Sequence, residues 1–267
     1  MMAVVALGSV RSCGVTTLTA ALGAVWPNDR RRLVVELDPG GGTLVAQFGL
    51  RPEPGLVSLA AASRRRDDPE LIWEHVQQLV EGADVLAAPP SAAQARAALD
   101  LLGALPAQLA RLEADVFIDC GRLGAASIAD EAFDRSDVAL LLVRPLLPDL
   151  HCVAAWLEGR TEVPSSLGLV LVGEGLYNKA DVDHALNSEV LGDVPFDPDG
   201  VSALFGASSR RRSPLLRHAR SIANAIREHF ARGLPPQNSD LAELAAPPPP
   251  GTMSATVGIV EREEARL

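Results

Sequence analysis

Two groups of residues in this sequence have the types and spacing for chemistry. The first is the loop Ser9, Val10, Arg11, Ser12, Cys13, Gly14, Val15, Thr16 and Thr17, which follows an apolar run at residues 4–7 and leads into an Ala/Leu stretch. A strand, a small-residue loop and a helix in that order aim backbone N–H groups and the positive end of the helix dipole at one point, where an anion can sit. Against the phosphate-loop pattern G-x-x-x-x-G-K-[ST], the window 9–16 keeps Gly14 and Thr16 but has Val15 where the lysine belongs. Lys179 is the only lysine of the chain, so no lysine of this loop can reach a phosphate. The second group is acidic: Glu36 and Asp38 close an apolar run at 33–37, and Asp119 closes another at 115–118, followed by Cys120 and Gly121. An apolar strand ending in Asp-x-Gly has the form of a Walker B segment, whose carboxylate bonds a magnesium-bound water. Many core strands share that form, and Asp38-Pro39-Gly40 also reads as an ordinary turn.

The loop resembles that of the MinD/ParA group of P-loop ATPases, which reads KGGxGKTT. Setting Gly14-Val15-Thr16-Thr17 on GKTT puts Val10 at the family's early lysine and Val15 at its second, with Arg11 one residue from the early position. In the family the second strand ends in D-x-D-P, whose carboxylates hold waters around magnesium and prepare the attacking water; Glu36-Leu37-Asp38-Pro39 is similar, with one Asp lengthened to Glu. The stretch 82–91 (GADVLAAPPS) also resembles a family strand. Where the family carries an adenine-reading Asn, this chain has Gly173 and Glu174, and Pro195 falls where a proline lies near the base. The resemblance spans roughly residues 2–232. It implies a nucleotide site at residues 9 and 11–17, a magnesium site at Thr16, Asp38 and Asp119 if Mg-ATP binds, and catalytic duty for Asp38 and Glu36 if the protein is active.

Composition sets the frame. A chain of 267 residues with 48% apolar content and mean hydropathy +0.15 can build one large α/β domain. It has no uninterrupted apolar run of membrane-spanning length and no signal-peptide pattern, which places it in the cytoplasm. A net charge of −10 argues against nucleic-acid binding over the whole surface. The three cysteines give neither a disulfide framework nor metal spacing. Cys13 and Cys120 both fall near the candidate site, as a redox pair or as two small buried thiols.

The elements that must position these groups alternate. Short apolar strands are predicted at 4–7, 33–37, 84–88, 115–119, 138–143, 167–172 and 190–194. Helices are predicted after the loop, at 41–50 (ending at Gly49), 55–62, 69–80, from the cap Ser91 to about 112, at 147–157 and at 213–231. Strands alternating with helices demand an α/β fold with a mostly parallel sheet of seven or eight strands, wrapped on both faces, with ligands at the strands' carboxyl ends. The domain is expected to end near 232. The Pro-rich remainder, 233–267, is expected to be disordered.

A P-loop lysine stabilises charge on a transferring phosphoryl group, and its loss costs on the order of a thousandfold in rate. The residues therefore lead to a MinD/ParA-like protein that hydrolyses ATP slowly or not at all. Three readings follow: a scaffold that positions chromosomes, the division septum, or pilus and secretion machinery through protein partners or a homodimer; a slow ATPase using Arg11 or a partner residue; and a nucleotide-regulated DNA-binding module. The third would use Arg210–Arg212 with Arg217, Arg220 and Arg227 on the last helix, a face that could equally meet a membrane surface or simply cover the sheet.

Overall fold

The computed structural model describes residues 2–66, 68–79, 82–124, 127–161, 163–164, 166–206 and 213–232. The tail 233–267 and the triplet Arg210–Arg212 lie outside the described residues. The first part of the chain runs β1 (Val4–Ser9), α1 (Val15–Val25), β2 (Arg32–Glu36), α2 (Leu44–Phe48), α3 (Leu56–Ser63), a 3-10 turn (Pro69–Glu74), β3 (Gln77–Gln78) and β4 (Asp84–Leu86). It continues with α4 (Ala92–Leu101), α5 (Leu105–Leu109), β5 (Asp115–Arg122), α6 (Ile128–Asp134), β6 (Val138–Val143) and α7 (Leu147–Glu158). Last come β7 (Leu167–Val172), α8 (Lys179–Leu186), β8 (Val190–Val194), α9 (Pro198–Leu204) and α10 (Pro214–Arg232).

The strands form one eight-stranded sheet in the order β3-β4-β2-β5-β1-β6-β7-β8, parallel throughout except for β3 against β4. Successive side chains of a strand point to opposite faces, and this sheet buries both. From β1, Ala6 joins one core with Leu33, Val35, Val116 and Ile118, while Val5 and Leu7 join the other with Val34 and Phe117. The second core is closed by α1 and α10 through Leu18, Leu22, Ile222 and Ile226. That explains why the strands are apolar runs rather than alternating ones. On α10 the buried face is Leu215, Leu216, Ala219, Ile222, Ala223 and Ile226, and Arg217, Arg220 and Arg227 are exposed opposite it.

Two predicted helices are corrected. Of the helix predicted at 69–80, the described residues 69–79 form a 3-10 turn and the edge strand β3, and residue 80 lies outside the described residues. Asp68 accepts from Glu70 N–H at 2.9 Å, Arg31 stacks over Trp73 at 3.4 Å, and the Gln77 side chain donates to the carbonyls of Arg51 and Pro54, so tertiary contacts hold the segment in an extended exit. The helix predicted from Ser91 to about 112 is two, α4 and α5, separated around Gly103. Pro106, which has no N–H to give, sits in the first turn of α5, where none is needed.

Candidate functional site

The loop between β1 and α1 lies at the carboxyl end of a strand in the middle of the sheet, between β5 and β6. Gly14 caps α1 with φ 100°, a left-handed conformation that side chains rarely adopt, and its carbonyl accepts from Leu18 N–H at 3.1 Å. The end of α1 therefore opens toward the loop as an anion cradle requires. The two valines turn elsewhere. Val15 is 5% exposed and belongs to the core of the α1/α10 face, and Val10 packs half-buried on the opposite core.

Arg11 does not replace the missing charge within the loop. Its Nε stands 3.2 Å from Asp149 Oδ1 at the start of α7, and its Nη1 lies 3.8 Å from Cys152 Sγ. Asp149 also holds Arg144, at the end of β6, through Nε at 2.5 Å. The guanidinium is thus drawn toward β6 and α7. Asp149 and Arg144 are site neighbours that sequence reasoning missed; the one signal was an acid in the first turn of a helix that follows a strand.

Thr16 and Thr17 open α1 half-buried, and Ser12 is exposed. Ser9 is fully buried with an Oγ that has no hydrogen-bond partner. Cys13 is half-buried on the α1/α10 core, and burial pushes its thiol up to about 11. Cys120 is fully buried in the opposite core, and burial raises its pKa well above the ordinary thiol value. The two cysteines pack in different cores, on opposite faces of the sheet.

The acids converge. Glu36 and Asp119 are register partners across β2 and β5, both buried, and Asp38 follows just beyond β2. Glu36 is tied to the backbone: Oε1 accepts from Thr43 N–H at 2.6 Å and Leu44 N–H at 3.0 Å, and Oε2 from Ala88 N–H at 3.0 Å. Burial still raises its pKa, against those three bonds. It therefore joins β2 to the start of α2 and to the exit of β4, the work of a structural anchor. Asp38, half-buried, accepts from Gly40 N–H at 2.6 Å; burial raises its pKa while the Gly40 bond and Arg122 lower it. Gly121, at φ 59°, has no room for a side chain, because a Cβ there would overlap the Asp38 carboxyl.

Asp119 is the most perturbed of the three. Burial raises its carboxyl from 3.8 to about 7, opposed by the Thr16 hydroxyl and the Gly121 amide and reinforced by Glu36 and Asp38. Oδ1 accepts from Gly121 N–H at 2.9 Å, whereas Oδ2 is buried and makes no well-formed hydrogen bond. An orphaned carboxylate oxygen beside a threonine hydroxyl is an all-oxygen donor pair of the kind magnesium takes. Among the described residues no group of three or more His, Cys, Asp or Glu is placed to hold a metal ion, so Thr16 and Asp119 are the donors a magnesium ion would have here. On the loop side, Val10 and Val15 carry no charge toward an anion, and Arg11 is paired with Asp149.

An open, almost wholly parallel sheet covered on both faces, with a glycine-bearing loop after β1 and acids at the ends of β2 and β5, defines a doubly wound α/β fold whose site lies at the carboxyl ends of the strands. Within that class the chain has the ParA/MinD fold. It is similar to a ParA family ATPase from Chlorobium tepidum TLS (TM-score 0.69, 15% identity, 84% of this chain and 98% of that one). It is also similar to cobyrinic acid a,c-diamide synthase from Mycobacterium smegmatis with bound ATP analog and magnesium (0.61, 20%, 89% and 100%), and to the Aquifex aeolicus MinC:MinD cell division protein complex (0.57, 15%, 87% and 97%). No protein-family model matches the chain, and no curated protein sequence does. No described helix is long and apolar enough to cross a membrane.

Proposed function

We propose that this protein is a ParA/MinD-fold scaffold that acts through protein partners in the spatial positioning of cellular machinery, with phosphoryl transfer impaired or lost. The observation that carries this reading is the fate of the two loop positions: Val15 is part of one core and Val10 packs half-buried against the other, while the adjacent Arg11 is held by Asp149. Electrostatic stabilisation of the transferring group is the main contribution of a protein to this chemistry. A relative of this fold, MinD, has been solved with a partner protein, MinC, which supports the partner half of the reading. Chromosome partitioning, septum placement and pilus or secretion assembly are the settings proposed.

A second reading, a slow Mg-ATPase, draws on the unpartnered Asp119 Oδ2 beside Thr16. Radiolabelled ATP with purified protein separates the two. The scaffold reading expects no turnover above the rate in buffer and no saturable magnesium-dependent binding at micromolar nucleotide. Saturable binding with turnover that Asp38→Ala abolishes would overturn it in favour of the ATPase.

A further inference from the structure

Residues 210–227 carry arginine at 210, 211, 212, 217, 220 and 227 and no aspartate or glutamate, on a chain in which 34 acidic side chains outnumber 24 Lys and Arg. Arg217, Arg220 and Arg227 belong to α10, and all three are exposed. Their spacing puts them on one face of the helix, in a row about 15 Å long. The other exposed residues of that face are Ser221, Asn224 and Glu228. Among the described residues none of the three guanidinium groups is in a hydrogen bond or ion pair, whereas Glu228 is engaged. Helix stability does not account for the row. Arg217 and Arg220 fall in the first two turns of α10, the end at which the helix dipole disfavours cations, and the first turn holds no acid.

The elements packed against α10 are α1, β8 and α9. Helix α1 has no charged residue. Strand β8 has Asp193, whose carboxylate lies 3.1 Å from His218 Nδ1. Helix α9 has the exposed Asp199 in its first turn, and its cap Asp197, close to Arg217, already accepts from Gly200 N–H at 2.9 Å and Leu215 N–H at 3.0 Å. Asp197 therefore offsets part of the charge of Arg217, and Arg220 and Arg227 are bonded to no acid of these elements. The row calls for an anion, and its surroundings select which. A bilayer would need apolar side chains to insert beside the arginines, and Ser221 and Asn224 are polar. A duplex, broader than one helix, would carry its phosphates over Asp193 and Asp199 on a chain of net charge −10. A second copy in a two-fold contact would set the row against itself.

We infer that the exposed face of α10 docks a short acidic segment of a partner protein, whose carboxylates pair with Arg217, Arg220 and Arg227. This names the chemistry of the partner in the scaffold reading, and rests on that reading for the partner's being a protein. The probe is a fluorescein-labelled Glu/Ala peptide of about 15 residues, long enough to span the row, followed by anisotropy against the full chain. Saturable, salt-sensitive binding is expected, weakened about tenfold or more by Arg217→Gln, Arg220→Gln and Arg227→Gln together and kept within about threefold by Arg217→Lys, Arg220→Lys and Arg227→Lys. Arg51→Gln with Arg96→Gln and Arg111→Gln removes the same charge at exposed positions elsewhere and should leave binding within about twofold. No binding of the peptide, or an equal loss in that second triple variant, would overturn the proposal. So would a short DNA duplex that binds more tightly than the peptide and is lost with the first triple variant, which would give the row to nucleic acid. A concentration-dependent assembly in light scattering that the first triple variant abolishes would overturn it in favour of a second copy. All these changes are at exposed positions and should preserve the unfolding midpoint, which is checked first. None of these outcomes bears on ATP turnover, so the docking site can fail while the scaffold reading stands.

Discussion

The two sides of the cradle differ in charge and in burial. On the acid side, Glu36, Asp38 and Asp119 stand together at the ends of β2 and β5, buried deeply enough that their pKa values rise. On the loop side, Val15 is part of one core and Val10 packs half-buried against the other, so neither position presents a cation. A buried carboxylate is costly to keep without a partner, so its presence demands a reason. The comparison shows two. Glu36 stays because three backbone N–H groups depend on it. Asp119 has one backbone donor, Gly121 N–H, and beside its second, buried oxygen only the Thr16 hydroxyl, so the backbone depends on it far less than on Glu36. The loop glycine and the helix start persist because the βα turn itself needs them, whereas a lysine side chain contributes nothing to that turn.

The largest effect should come from Asp119. Its carboxyl titrates near 7 in the fold against 3.8 ordinarily. Between those values the unfolded chain has released a proton that the folded chain keeps, so stability falls as pH rises from about 4 to about 7 and levels off above. The penalty at pH 8 is on the order of 4 kcal/mol. Asp119→Asn removes the titration and should stabilise the protein at pH 8 by about 2 to 4 kcal/mol, the lower figure allowing for a buried amide N–H without a partner. Urea unfolding at pH 5 and pH 8 measures it, and an Asp119→Asn slope equal to that of the parent protein would break the contrast. Glu36→Ala should act in the opposite direction. It strands three backbone donors and should cost about 3 kcal/mol at pH 7 in the same assay. Parental stability in that variant would mean that Glu36 is not an anchor.

The loop side is sharpened by restoring its charge. Val15→Lys trades a buried apolar side chain for a cation at the phosphate end of α1, so the unliganded protein should lose about 1 to 3 kcal/mol. If the missing charge is what separates this loop from a working one, Mg-ATP affinity measured calorimetrically should rise at least tenfold, about 1.4 kcal/mol. Unchanged affinity would show that the loop's shape bars the nucleotide.

Most of the architecture could be read from the residues because the sheet is buried on both faces. Residues 138–143 and 167–172 are unbroken apolar runs, and both are strands at those bounds. The predicted helix at 147–157 is α7 to within a residue, and Gly49 ends α2 with the positive φ that made it a stop signal. Asp38 and Asp119 could be placed together because parallel strands deliver their ends to one edge. What escaped the pattern depends on contacts distant in the chain. Trp73 under Arg31 and Gln77 on the 51–54 backbone turn an amphipathic stretch into a 3-10 turn and an edge strand. Helix α8 buries only Val182 and Leu186, so its periodicity is faint. Which core Cys13 and Cys120 each enter was hidden for a related reason: nearness to one strand edge does not say to which face of the sheet a side chain turns.

The finest test concerns Arg11, whose one-residue offset from the family's early lysine made it the natural substitute. Its ion pair with Asp149 joins a side chain that is 54% exposed to one that is 6% exposed. Asp149 retains Arg144 when Arg11 is removed, so no buried charge is stranded. Arg11→Gln should therefore lower stability by less than about 1 kcal/mol. Because the guanidinium is drawn to the start of α7 and away from the end of α1, the substitution should also leave the Mg-ATP affinity of the Val15→Lys variant within twofold. A tenfold drop there would mean that Arg11 leaves Asp149 when phosphate arrives, which would return a cation to the loop side and erase the asymmetry between the two halves of the cradle.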